Sequence, residues 1–144
     1  MKHICDITGE GLPEAGYFER LPDGACPVFE AGRIAAAGRA MACGKGTFCR
    51  NGLAQLALIT EAASMNKARE GDLALLRQLC KNILIASDCA MSEHVAALVA
   101  ASMDLHEEAW SDHLVRRRCQ KGICPGFATN RAAPPQNLVR RRRR

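Results

Sequence analysis

The chain has 144 residues, enough for one domain with a modest core and too few for several. Twenty Lys and Arg face 15 Asp and Glu, but five of the basic residues form the run 140–144, so residues 1–139 are balanced in charge. That balance implies no basic face on the folded part; a nucleic-acid binder would rest on the Arg tail alone, and the expected tail is a solvated, disordered end.

Aromatic residues are few (four Phe, one Trp, one Tyr), and Ala and Leu dominate, which favours helices over sheets. The opening Met1-Lys2-His3-Ile4-Cys5-Asp6 lacks the apolar stretch of an export signal, and no segment is apolar for the length of a membrane span. The expected compartment is the cytoplasm, where thiols stay reduced and eight cysteines read as metal ligands rather than disulfides. The even count leaves four bridges in an exported chain as the alternative.

Residues 1–25 are punctuated by Gly9, Gly11, Pro13, Gly16, Pro22 and Gly24 and read as loop. From Pro27 to Met41, positions 28, 31, 34, 35 and 38 form a helical stripe thinned by Gly32 and Gly38. A second helix is expected from about Asn51 to Met65, with Leu53, Leu56, Ile59 and Ala63 on one face. Asp72, after Gly71, is a candidate N-cap for a third helix, in which Leu76, Leu79, Cys80, Ile83 and Leu84 align toward a core. A fourth helical stretch runs from about Ser92 to Arg118, Ala-rich at first, then charged and anchored by Trp110 and Leu114. The expected fold class is all-α: a small four-helix bundle over residues 26–125, behind an N-terminal loop region 1–25 and ahead of a disordered basic tail 126–144.

Cys43-Gly44-Lys45-Gly46-Thr47-Phe48-Cys49-Arg50 forms a tight turn between two of these helices. Such a turn exposes backbone N–H groups to an anionic cluster, and Lys45 and Arg50 offset its charge. Cys89 follows the third helix, and antiparallel helices of this length can return it to Cys43. From the residues alone, three cysteines that merely pack fit as well.

The turn resembles the C-G-K-C-x-x-C-R motif that holds a 4Fe–4S cluster in the NADH-binding flavoprotein subunit of respiratory complex I. Related subunits of NAD(P)-reducing and electron-bifurcating hydrogenases share that motif. In that family a further cysteine follows after 39 residues, the spacing from Cys49 to Cys89 here. Ser111 to Cys124 is similar to the hydrogenase-type E-A-H-I-x-E-K-R-C-P-A-G-V-C, and Cys26 matches a cysteine 17 residues before the turn. The likeness covers about residues 26–124. It implies an iron-sulfur cluster, 4Fe–4S or 3Fe–4S, held by Cys43, Cys49 and Cys89, in an accessory electron-transfer module docked on a flavoprotein or hydrogenase-type oxidoreductase subunit.

Two departures stand out. Position 46 is Gly where the family has its second cluster cysteine, and Cys80 is a candidate substitute. The family's G-Q-T-A-P-N-P stretch is replaced by Ala90-Met91-Ser92-Glu93-His94-Val95. The rival reading is a cluster-free, zinc-stabilised structural or interaction protein.

A second constellation does not depend on position 46. His113, Cys119 and Cys124 lie close in sequence, and Cys26 completes a Cys₃His set suited to tetrahedral zinc. Arg116, Arg117 and Arg118 beside it are expected to favour thiolates. The alternative is a solvated His113 and cysteines that fill a core corner. His3, His94 and His106 read as ordinary surface or boundary residues. No Gly-rich dinucleotide turn, ferredoxin-type cysteine run or catalytic triad is present in the sequence, so catalysis is expected to come from a partner.

Overall fold

A computed structural model describes residues 11–127, and every regular element among them is helical. Pro27 opens α1 (Pro27–Met41), where its missing N–H costs nothing and its fixed φ suits the first turn. A π-helical turn, Phe48–Gly52, then feeds directly into α2 (Leu53–Ser64). Gly71, in the left-handed region at φ 88°, turns the chain into α3 (Asp72–Ala86). Asp72 Oδ2 accepts the backbone N–H of Arg69 at 2.7 Å, bracing that turn from inside the first helical residue rather than from the cap position. Cys89 is the extended residue that precedes α4 (Ala90–Leu105). A short α5 (Glu107–Ser111) and a second π-helical turn, Asp112–Arg116, complete the order.

The expected bundle is present, with α1 packed on α2 and α4, and α3 on α4. Its core joins Ile34, Leu53, Leu56, Leu76, Ile83, Val95, Val99 and Trp110. Gly38, a weak point in the stripe read as sequence, is where α1 meets α4. A Cβ there would come within 2.7 Å of Val95 Cγ2.

Two expectations need correction. Leu84 is 40 % exposed, because the fully buried arc of α3 is narrow and holds Leu76, Cys80 and Ile83, with Leu79 packed at its edge. The fourth helical stretch is broken at His106, whose φ of −125° and ψ of 46° leave the helical region. There the ring Nε2 meets the Phe18 carbonyl at 2.8 Å, and the new direction carries Trp110 into the core. The described part of the expected loop region packs on the bundle. Tyr17–Arg20 forms a 3₁₀ turn with Phe18 buried, and His94 Nε2 reaches the Pro13 carbonyl at 2.7 Å. Phe127, the last described residue, is buried. The basic tail beyond it, residues 1–10 and His3 and Cys5 within them lie outside the described residues. No helix among the described residues is long and apolar enough to cross a membrane.

Candidate functional site

Two separate groups of cysteines emerge, and each is fed by one of the two π-helical turns. Cys49 sits in the first and His113 in the second; such turns recur where a helix must re-aim a functional side chain. No disulfide joins the seven described cysteines.

The first group lines a cavity of about 440 Å³ formed by the 43–49 turn and residues 86–89. Gly44, at φ 77°, lets the turn fold back so that its N–H reaches the Cys49 sulfur, while its carbonyl accepts Arg50 Nη1 at 3.2 Å. Cys49 interacts with both Cys43 and Cys89, so the three expected positions converge. Burial pushes the Cys49 thiol up. Burial also works against ionisation of Cys89, but the backbone N–H and hydroxyl of Ser92 and the N–H of Met91 outweigh it and lower that thiol.

Two serines hold the Cys89 strut. Ser87 Oγ accepts the Cys89 N–H at 3.2 Å and lies 2.6 Å from Ser92 Oγ; Ser92 Oγ donates to the Cys89 carbonyl at 3.1 Å. Sequence reading noted this stretch only as a departure; the signal was a Ser three residues after Cys89. Cys80 is not part of the cavity. It is buried in α3, where burial pushes its thiol up to about 12.

The fit to a cubane cluster is three corners of four. Cys43, Cys49 and Cys89 supply thiols to one cavity, and position 46 supplies none. A Cβ added at Gly46 would meet only Cys49 Cβ, at 3.8 Å, and Gly46 is not among the positive-φ glycines. Space and backbone at position 46 would therefore accept a side chain.

The second group is tighter. Cys26, His113, Cys119 and Cys124 place all their ligand atoms within 4.8 Å of one another, an arrangement able to hold a metal ion. Cys26 Sγ lies 3.5 Å from Cys124 Sγ, 3.8 Å from Cys119 Sγ and 3.4 Å from His113 Nε2. His113 Nε2 is 3.2 Å from Cys124 Sγ. Its Nδ1 lies 2.7 Å from the Ala109 carbonyl, which places a proton on Nδ1 and turns Nε2 toward the sulfurs, as a metal ligand when neutral or as a donor to thiolate when protonated. Phe127 packs edge-on against the imidazole, at 5.1 Å between ring centroids.

The Cys26 thiol is lowered to about 4, first by the hydrogen bond from Cys124 and then by His113, against the effect of burial. Cys124 is raised by the same contact. The Arg triplet is not the cause. Arg116 Nη1 and Arg118 Nε donate to Asp112 Oδ1 at 2.6 and 3.3 Å, and Arg117 donates to the Ala68 carbonyl at 2.7 Å.

Asp112, missed in the sequence, organises the loop that carries Cys119. Besides the two arginines it accepts Gln120 Nε2, and its backbone carbonyl accepts the Arg118 N–H at 3.0 Å. The Arg116 hydrogen bond leads in holding its carboxyl below the usual range. The legible signal was Asp112 four residues ahead of Arg116.

The described residues form an all-helical scaffold with one thiol-lined cavity and one Cys₃His group able to hold a metal ion. Residues 30–113 match the family described as the NADH-ubiquinone oxidoreductase-F iron-sulfur binding region, and the chain belongs to that family. The match contains Cys43, Cys49 and Cys89 and ends on His113, leaving Cys26, Cys119 and Cys124 outside it. No curated protein matches the chain.

Proposed function

We propose that the chain is an accessory electron-transfer module that docks on a flavoprotein or hydrogenase-type oxidoreductase subunit and does no catalysis alone. Cys43, Cys49 and Cys89 hold an iron-sulfur cluster, 4Fe–4S or 3Fe–4S, which when bound accepts and passes on single electrons. Cys26, His113, Cys119 and Cys124 hold a structural zinc ion. The working compartment is the cytoplasm, where all these thiols stay reduced.

The observation that carries the cluster reading is the convergence of three cysteines, 40 residues apart at the widest chain gap, on one cavity inside the family-matched region. The chain's own contribution is positional. Ser87 and Ser92 fix Cys89, the Gly44 N–H faces Cys49, Arg50 braces the turn through the Gly44 carbonyl, and Lys45 lines the cavity to offset anionic charge. For zinc, the support is metric. A tetrahedral ion with bonds of about 2.3 Å to sulfur and about 2.0 Å to nitrogen has ligand–ligand edges of roughly 3.5–3.8 Å. Four of the six separations run from 3.2 to 3.8 Å, and all six lie within 4.8 Å.

Gly46 favours a second reading, in which the cluster is lost and the zinc-stabilised bundle serves as a scaffold. Anaerobic purification with iron, sulfide and zinc analysis separates the two. The first reading predicts brown protein that loses its colour and its sulfide on Cys89→Ala while keeping zinc. Colourless protein after reconstitution with iron and sulfide would leave only the scaffold.

A further inference from the structure

Position 46 is a gap in the ligand set that no fourth cysteine fills. A Cβ there meets only Cys49 Cβ at 3.8 Å, and the cavity beside it is lined by Lys45, Thr47 and Asp88 as well as the three cysteines. Cys80 is buried elsewhere in α3. Asp88 is the one carboxylate in the lining, but Ser87 and Cys89 are both extended and buried while Asp88 is exposed. Asp88 itself lies in a bend and lines the cavity, so its carboxylate is the rival occupant that the test below removes. Lys45, in contrast, enters no ion pair among the described residues and leaves the mouth of the cavity with a cation to offer an incoming anion.

We propose that this gap is a binding site: a cluster held by Cys43, Cys49 and Cys89 presents one iron to the cavity, and that iron takes a small thiolate from solution. The inference rests on the cluster reading above. Thiolate is the class that matches the softness of the site's other ligands, and Lys45 matches its charge. The missing cysteine then gives the module an exchangeable ligand position rather than a broken site.

The test uses the full chain reconstituted anaerobically, with bound iron and sulfide measured first. The reduced protein is then examined by electron paramagnetic resonance with and without 2-mercaptoethanol, beside Gly46→Cys and Asp88→Ala. The expected result is a shifted signal for the wild-type chain on adding thiol and no shift for Gly46→Cys. Ferricyanide gives a second, independent arm on the wild-type chain: one electron passes to the oxidant, the exposed iron leaves as Fe²⁺, and a 3Fe–4S signal appears. That conversion is expected to be lost in Gly46→Cys. A cluster whose signal ignores the thiol overturns the proposal and leaves the cluster reading intact. A changed signal in Asp88→Ala before any thiol is added assigns the position to Asp88 and overturns it equally. Protein that retains no iron and sulfide overturns the reading beneath both.

Discussion

Asp112 shows how much of the Cys₃His group depends on a residue that is not a ligand. Its carboxylate ties Arg116, Arg118 and Gln120 across the loop that presents Cys119. Asp112→Asn keeps the size and loses the charge-assisted bonds, so Cys119 is held less firmly. Metal affinity in competition with a chromogenic chelator is expected to fall about tenfold, the low end for outer-shell positions; unchanged affinity would show the loop to be held by other means. Cys80 gives the opposite test. Buried, with its thiol at about 12, it has almost no thiolate at neutral pH. Brief iodoacetamide treatment of the metal-free chain should modify exposed Cys43 and spare Cys80, as read by peptide mass mapping. At this scale the convergence of the candidate ligands was legible because the spacing of the cysteines matched a family pattern. Asp112, Ser87 and Ser92 were not, because a hydrogen bond that steadies a loop needs no distinctive residue type.

Among the elements, the α1–α4 contact is the most exacting. Alanine at position 38 gains about 0.5–1 kcal/mol of helix propensity over glycine. Its Cβ, however, would sit 2.7 Å from a methyl of buried, β-branched Val95, and overpacking of this kind costs about 1–3 kcal/mol. Gly38→Ala should therefore be net destabilising by about 1 kcal/mol in urea unfolding. Paired with Val95→Ala it should cost less than the two single changes together; simple additivity would place the clash elsewhere. The apolar stripes of α1, α2 and α3 made these elements readable from sequence. The break at His106 was not, since no Pro or Gly marks it; it depends on the Phe18 carbonyl 88 residues away in the chain. Leu84 misled for a related reason. A helical stripe gives the direction of the buried face but not its width, which the neighbouring helix decides.

Over the whole molecule, the two groups make different demands. The Cys₃His group joins Cys26 to Cys119 and Cys124 across separations of 93 and 98 residues, so an ion there ties the start of α1 to the end of the described chain. Metal bound only by the folded state adds its binding free energy to stability. Cys119→Ser should lower the melting temperature by at least roughly 5 °C, about 1 kcal/mol in a domain of this size. The cavity at Cys43, Cys49 and Cys89 closes nothing comparable, and its cluster should leave the fold largely as it is. The central claim is that one chain carries a cluster and a separate zinc ion on independent ligand sets. Native mass spectrometry of the anaerobically reconstituted chain tests it most directly. The account predicts a mass increment of one iron-sulfur cluster plus one zinc ion, with Cys89→Ala losing the cluster alone and Cys119→Ser losing the zinc alone. A chain that carries no cluster, or variants that lose both groups together, would contradict it.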